Sequence, residues 1–373
     1  MNSTGELCIR TGRLFDAASG VDGPGCAVVR GDRIVSVGDD APAEAGRVLE
    51  FPDGILLPGL IDLHGHPAVS GSVFGVDPDA GLLARGTTTV LSQGDAGAEG
   101  IDEYVRTTIE ASQTRVRLAI NLSRIGESTG RGCFENHDDA DVNACVEAVE
   151  RHDDVIWGIA VNVSNHACGG SDPREVLRRG LAAAERTERP ILYGMRRPED
   201  WPLAEQLELL RPGDVVTYCY RRRPHCIVEN GRVLDCVREA RERGVLFDVG
   251  HGMASFSFEV AEVAITDGFV PDTISTDLQR AHVESGAVHD LPLVMSKLRA
   301  AGMADGDVFA AVTRRPAEIL GLGDEIGTLA AGACADLTVL EEAEGVLADC
   351  DGVERRGVKW LPVLTMRAGE VVE

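Results

Sequence analysis

Two different rhythms of apolar and polar positions run along this 373-residue chain. From residue 58 to about 321, short apolar runs alternate with longer stretches in which apolar positions recur at helical spacing. The strand-like runs are GLIDLHGH (59–66), TTTVLSQ (87–93), VRLAINLS (116–123), WGIAVNVS (157–164), PILYGM (190–195), DVVTYCY (214–220), VLFDVG (245–250) and DTISTD (272–277). Segments such as DPREVLRRGLAAAERT and GRVLDCVREARERG lie between them and predict helices. The second should stop at Gly244, because glycine adopts the left-handed turn that ends a helix without strain. Eight strand-helix units predict an α/β protein with a (β/α)8 TIM barrel over 58–321.

Residues 1–57 and 322–373 have another texture. ELCIRTGRLFD and CAVVRGDRIVSVG near the start, and GTLAAGACADLTVL and VKWLPVLTMRAGEVVE near the end, are rich in β-branched residues and punctuated by glycine and proline. The ends of a closed barrel lie near each other, so both flanks are expected to meet in one small β-sandwich domain.

In such a barrel the reactive groups stand at the C-terminal ends of the strands. The first run ends in His64-Gly65-His66, and residues two apart on a strand share a face, so both imidazoles can address one ion. The eighth run ends in Asp277, which would face them across the barrel mouth. Read alone, Asp277 also suits the N-cap of a following helix. Together the three residues make a ligand set for one divalent metal ion, zinc foremost, with iron or manganese also compatible.

Charge changes the picture of partners. With 61 acidic against 36 basic residues the formal charge is −25, which repels nucleic acid and anionic membrane surfaces. The opening MNSTGELCIR has no charged start followed by an apolar run, no apolar stretch reaches membrane-spanning length, and the ten cysteines form no CxxC pair. A cytoplasmic protein with reduced thiols is expected, and the fold type suggests a homodimer. Against this acidic background Arg196 and Arg197 follow the fifth run, and Arg221, Arg222 and Arg223 follow the sixth. Guanidinium groups grip carboxylate or phosphate in bidentate fashion, so a small anionic substrate is expected there.

The segments LLPGLIDLHGHP, RGTTTV, LRPGDVVTYCY, GVLFDVGHGMASFSFEVAEVAITDGFVPDTISTDLQ, MSKL and GTLAAGACADLTVL resemble those of the deacetylase-like group of the amidohydrolase superfamily, and the likeness runs through nearly the whole chain. The resemblance implies a barrel that activates water on one or two divalent ions and hydrolyses acyl groups on small amides or esters. It also implies a ligand set of an HxH pair, a carboxylated lysine, two further histidines and an aspartate.

Carried over by position, that set is incomplete. Ala160 stands where the bridging lysine would, and Gly194 and Tyr218 stand where histidines would. The only lysines are Lys297, after the eighth run, and Lys359, in the C-terminal segment, so neither is in register to bridge two ions. His64, His66 and Asp277 remain, and His251 of the DVGHG block is expected to bring its ring to the pocket. Three readings stay open. One is a hydrolase with a single metal ion cleaving an amide, ester or cyclic amide of a small acidic molecule. Another is a lyase, isomerase or cyclase without metal that uses Asp277, His251 and Tyr218 as acid and base. The last is a binding protein that has lost turnover.

Overall fold

The computed structural model describes residues 6–38, 46–197 and 199–372. The chain begins with four strands: β1 (Leu7–Asp16), β2 (Val21–Arg30), β3 (Arg33–Gly38) and β4 (Arg47–Pro58). Next come β5 (Leu60–Gly65), β6 (Thr87–Gln93), β7 (Arg115–Asn121), β8 (Ile156–Asn162), β9 (Ile191–Gly194) and β10 (Val215–Thr217). A small hairpin of β11 (Val228–Glu229) and β12 (Arg232–Val233) precedes β13 (Leu246–Phe247). The chain closes with β14 (Leu337–Ala348), β15 (Glu354–Arg367) and β16 (Glu370–Val371).

Seven of these strands make a parallel sheet in the order β13-β10-β9-β8-β7-β6-β5, with helices between them. Strands covered on both faces carry nearly continuous apolar residues, which is how these runs read in the sequence. The eighth run is not a regular strand, yet it closes the barrel. Asp248 bridges Thr273 on one side and Gly65 bridges Leu278 on the other, while the Asp277 N–H donates to the His64 carbonyl at 2.7 Å. Asp277 has φ +49°, a left-handed conformation that no extended strand can contain, so pairing is limited to isolated bridges.

Local chemistry accounts for the helices. In Pro173–Thr187 the Asp172 side chain accepts from the Arg174 N–H and Pro173 occupies the first turn, where its missing N–H costs nothing. The helix Asp235–Glu242 stops as expected before Gly244, at φ +95°.

The terminal strands differ from expectation. They are hydrogen-bonded as one sheet where two were expected: β14 pairs directly with β4, from Leu337 opposite Pro58 to Leu340 opposite Ile55. One seven-stranded sheet results, in the order β16-β15-β14-β4-β1-β2-β3. Ile9, Val29, Leu56, Val339 and Met366 share one apolar cluster, so this sheet curls around its own core. Among the described residues no helix is long and apolar enough to cross a membrane.

Inside the barrel, Leu63, Leu91, Ala119, Ala160, Leu192 and Val215 form an apolar plug. Ala160 is therefore a buried core residue, packed against these side chains. Ala160→Lys should not rebuild a bridging ligand; it should insert an amine among leucines and cost roughly 3 kcal/mol. The urea midpoint reads this, and an unchanged midpoint would mean that the interior has room and water at this level.

Candidate active site

His64 and His66 leave the end of β5, and Asp277 arrives from the closing segment beside it. One ligand atom from each lies within 4.8 Å of the others, and all three residues are buried. The His66 Nε2 stands 3.2 Å and the His64 Nε2 3.5 Å from the same oxygen, Asp277 Oδ1.

The other ring nitrogens fix which atoms carry protons. His66 Nδ1 lies 3.0 Å from Asp95 Oδ1, and Asp95 also accepts from the Ser72 and Ser92 hydroxyls. A carboxylate only accepts, so Nδ1 holds the proton and Nε2 offers a lone pair. His64 Nδ1 lies 2.7 Å from Thr217 Oγ1, whose own hydroxyl donates to Asp248 at 2.8 Å. Thr217 has no second proton to give, so His64 Nδ1 donates and its Nε2 is also a lone pair. Asp248 accepts in addition from Thr273 and Ser275, which holds this relay rigid.

Two nitrogen lone pairs and one carboxylate oxygen thus face each other, and His64 Nε2 and Asp277 Oδ1 are buried without a hydrogen-bond partner. Such orphaned atoms suit a cation: two imidazoles and a carboxylate are a three-ligand zinc set with a position left for water. Carboxylates behind ligating histidines are also how metal sites orient their ligands. Without a metal, protons are the only cations available. Burial disfavours the His64 imidazolium, but Asp277 and Asp248 outweigh it and raise its pKa to about 9. His66 is likewise disfavoured by burial and held well above the usual value by Asp95 and Asp277. Burial would raise the Asp277 carboxyl, yet the two histidines hold it well below the usual carboxylate range.

Tyr218 borders this cluster, its ring centroid 5.2 Å from that of His64, and like Asp277 it has a left-handed backbone, φ +69°. Strain at non-glycine residues persists only where the surroundings enforce it. Burial, and then the charge of Asp277, push the Tyr218 phenol well above its usual value, so it stays protonated and able to donate. The Arg221 guanidinium lies 4.4 Å over the Tyr218 ring and donates twice to Ser255 Oγ.

The remaining arginines divide. Arg196 pairs with Asp200 at 3.1 Å, and Arg197 is exposed. His225 registers their field: burial first, and then Arg221, Arg197 and Arg196, lower its pKa to about 4. Arg222 turns away to pair with Asp351 at 2.6 Å, and Arg223 is exposed beside the same groove. The five arginines therefore do not converge on one ligand.

His251 does not join His64, His66 and Asp277. Its Nδ1 donates to the Gly252 carbonyl at 2.9 Å and its Nε2 accepts from Lys297 Nζ at 2.9 Å, so the protein occupies both ring nitrogens. The cause is local: Gly250 and Gly252, at φ +50° and +49°, turn the chain beyond β13 and carry the ring toward Phe256 and the helix Leu291–Ala300. Lys297 thus enters the interior, where burial lowers its pKa to about 8, but it meets His251 and not the ligand cluster.

Residues absent from the sequence expectations also shape the site. Asp95, Thr217 and Asp248 orient the histidines, and each follows or ends a barrel strand, the one signal that could have marked them. Glu127, in the loop after β7, is buried, with burial as the main cause of a pKa raised to about 7.

Two outcomes follow from this geometry. A Cβ at Gly252 would stand 2.4 Å from Asp277 Oδ2, so Gly252→Ala should displace that carboxylate and weaken zinc binding at least about tenfold, with a loss of roughly 1–2 kcal/mol in stability from the left-handed backbone. Zinc titration and thermal unfolding measure both; wild-type affinity would remove Asp277 from the ligand set. The second concerns pH. In the metal-free protein His64 is raised from 6.5 to about 9, so its contribution to stability is complete below pH 6.5 and disappears as pH rises through 9. Zinc must displace that proton, so the gain in Tm from a fixed zinc excess should grow between pH 6.5 and 9. A gain independent of pH would show that protons and metal do not compete here.

Comparison with known proteins adds the lineage. Residues 220–372 match the model of the amidohydrolase family. A deacetylase from Agrobacterium fabrum is 33% identical over 336 residues, covering 88% of this chain and 81% of its own. The crystal structure of an adenine deaminase superposes with TM-score 0.88 at 28% identity over 98% of each chain. That of a dihydroorotase gives 0.85 at 29% identity, over 99% of this chain and 98% of its own.

Proposed function

Since the chain belongs to the amidohydrolase superfamily and is a hydrolase of C–N bonds, we propose that it cleaves an amide or cyclic amide of a small acidic molecule, using one divalent ion held by His64, His66 and Asp277. The observation that carries this reading is the convergence of His64 Nε2, His66 Nε2 and Asp277 Oδ1, two of them orphaned, on one buried point. A bound ion supplies positive charge that acidifies water and polarises a carbonyl. The protein's own groups do the rest. Asp95 and the Thr217–Asp248 relay hold both imidazoles with Nε2 inward, Tyr218 offers a hydroxyl proton to a substrate oxygen, and Arg221 anchors a carboxylate from beside Tyr218. Arg196 and Arg197 add positive field behind it, around His225.

Chemistry without metal, through Asp277, His251 and Tyr218, is favoured by the residues at the resemblance's ligand positions, Ala160, Gly194 and Tyr218. It is weakened by His251, both of whose ring nitrogens are occupied.

Metal analysis of freshly purified protein, followed by assay on N-acetyl amino acids and carboxylated cyclic amides, tests the proposal. One equivalent of metal per chain, turnover abolished by a chelator and restored by zinc, is expected. Turnover indifferent to chelators would replace this reading with the metal-free one. Asp277→Asn should reduce kcat at least about a hundredfold, whereas Arg221→Ala should raise KM for acidic substrates with a smaller effect on kcat.

A further inference from the structure

We propose that a cavity behind His66, outside the barrel wall, is a second ligand site of this protein: it takes a small aromatic carboxylate, and its occupancy is felt at the metal-ligand cluster. The cavity measures about 440 Å³ and opens between the segment that joins β5 to β6 and the residues that follow Asp277. That volume is in the range of small-molecule sites. Among the described residues, none of His64, His66, Asp277, Tyr218 and Arg221 lines it. Its wall includes Val76 and Leu278, which belong to the apolar layer shared with the outer helices and not to the plug inside the barrel. The cavity is thus separate from the barrel mouth.

Charge on the rim selects an anion. Among the described residues, the Arg280 guanidinium meets only the carbonyls of Gly75 and Ser72, each at 3.4 Å, and no carboxylate. Arg85 lies 3.7 Å from Asp290, but that carboxylate already accepts from the Leu293 N–H at 2.9 Å. Asp77 is the opposing charge on the cavity wall, and its Oδ1 is held by the N–H groups of Asp79 and Ala80. Two guanidinium groups with such long contacts, in a chain of formal charge −25, retain donors that a carboxylate can take up.

The histidines select a flat body. His282 and His289 both line the cavity and stack on each other, with centroids 3.8 Å apart and planes at 4°. Behind them His289 meets His251 at 4.9 Å, and His251 lies nearly parallel to Phe256 at 5.0 Å, so a column of four rings ends at the cavity. The outer two rings are fixed: His289 Nε2 donates to the Thr276 carbonyl at 2.9 Å, and His282 Nδ1 accepts from the Gln279 N–H at 3.2 Å. An aromatic ring continues this column against Val76 and Leu278, while its carboxylate reaches the arginines.

The same walls are bonded to His66. Its N–H donates to the Leu278 carbonyl at 3.0 Å, and its carbonyl accepts from the Val76 N–H at 2.9 Å. The Arg280 N–H donates to the Phe74 carbonyl at 2.8 Å, and the Phe74 ring lies 5.3 Å from that of His66. Arg280 also donates to the carbonyl of Ser72, whose hydroxyl donates to Asp95, the carboxylate that orients His66. A ligand that spans Val76 and Leu278 therefore braces His66 from both sides, and carboxylate and metal ion strengthen each other's binding by the same factor. This link, though not the site itself, rests on the metal reading above.

Calorimetry on the full chain tests the site with benzoate, its neutral counterpart benzamide and inorganic phosphate. Benzoate should bind once per chain, and benzamide and phosphate at least about tenfold more weakly. Arg280→Met should weaken benzoate at least about tenfold, and Ala287→Trp, which fills the cavity from an exposed position on its wall, should abolish binding. Arg221→Ala, in the barrel mouth, should leave it unchanged. Zinc should bind wild type about fivefold more tightly with saturating benzoate than without it, and A287W equally in both conditions. No benzoate binding, or binding that R221A removes while R280M and A287W keep it, would overturn the site. Phosphate binding as tight as that of benzoate would overturn the aromatic class, and zinc affinity indifferent to benzoate would overturn the link to His66. A chain that binds benzoate in the expected pattern but takes up no zinc would overturn the metal reading and the link together, and leave the carboxylate site standing.

Discussion

The site depends on an electrostatic conflict: when neither imidazole is doubly protonated, two nitrogen lone pairs face one buried carboxylate oxygen, 3.2 and 3.5 Å from it. Atoms of like polarity so arranged repel one another until something positive lies between them. A proton or a metal ion can serve, and the rest of the barrel mouth is organised to keep that choice open. Asp95 and the Thr217–Asp248 pair hold protons on the outer ring nitrogens, so the inner ones are where a proton or a metal ion competes. The backbone strain at Asp277 and Tyr218 flanks the same point, as expected where surrounding contacts impose a shape that the local chain would not choose.

The glycines beyond β13 contribute to this arrangement by omission. A side chain at Gly250 would collide with Thr217 Oγ1 at 2.2 Å, and one at Gly252 with Asp277 Oδ2 at 2.4 Å. Those contacts fall on the hydroxyl that orients His64 and on the carboxylate that faces it. The DVGHG segment thus acts through what it lacks: it lets the relay and the ligand approach the backbone closely, and it sends His251 to a separate partner, Lys297.

Much of this was legible in the sequence because periodicity and strand ends are local signals. The eight runs located the barrel, and two histidines at the end of one run with an aspartate at the end of another located the cluster. What stayed hidden depends on contacts distant in the chain. Asp95 and Thr217 read as ordinary polar residues until the fold sets them against His66 and His64. Glu127 sits in RIGESTGRG, a loop whose glycines conceal its approach to Asp95. Arg222 was grouped with Arg221 by adjacency, but Asp351 captures it from the C-terminal region. The terminal strands were recognised as strands, yet alternation says only that a strand has two faces and not which edge it pairs with, so a sandwich was expected where one sheet occurs.

That sheet orders events during synthesis. β4 runs straight into β5, the strand bearing His64, and its outer edge is covered by β14, which emerges only after the barrel's last helices. Until then the edge of β4 offers unpaired N–H and C=O groups to any neighbouring chain. A barrel that forms before the chain is complete does so with its first strand tethered to an unfinished sheet, and only the last-made strands seal that edge.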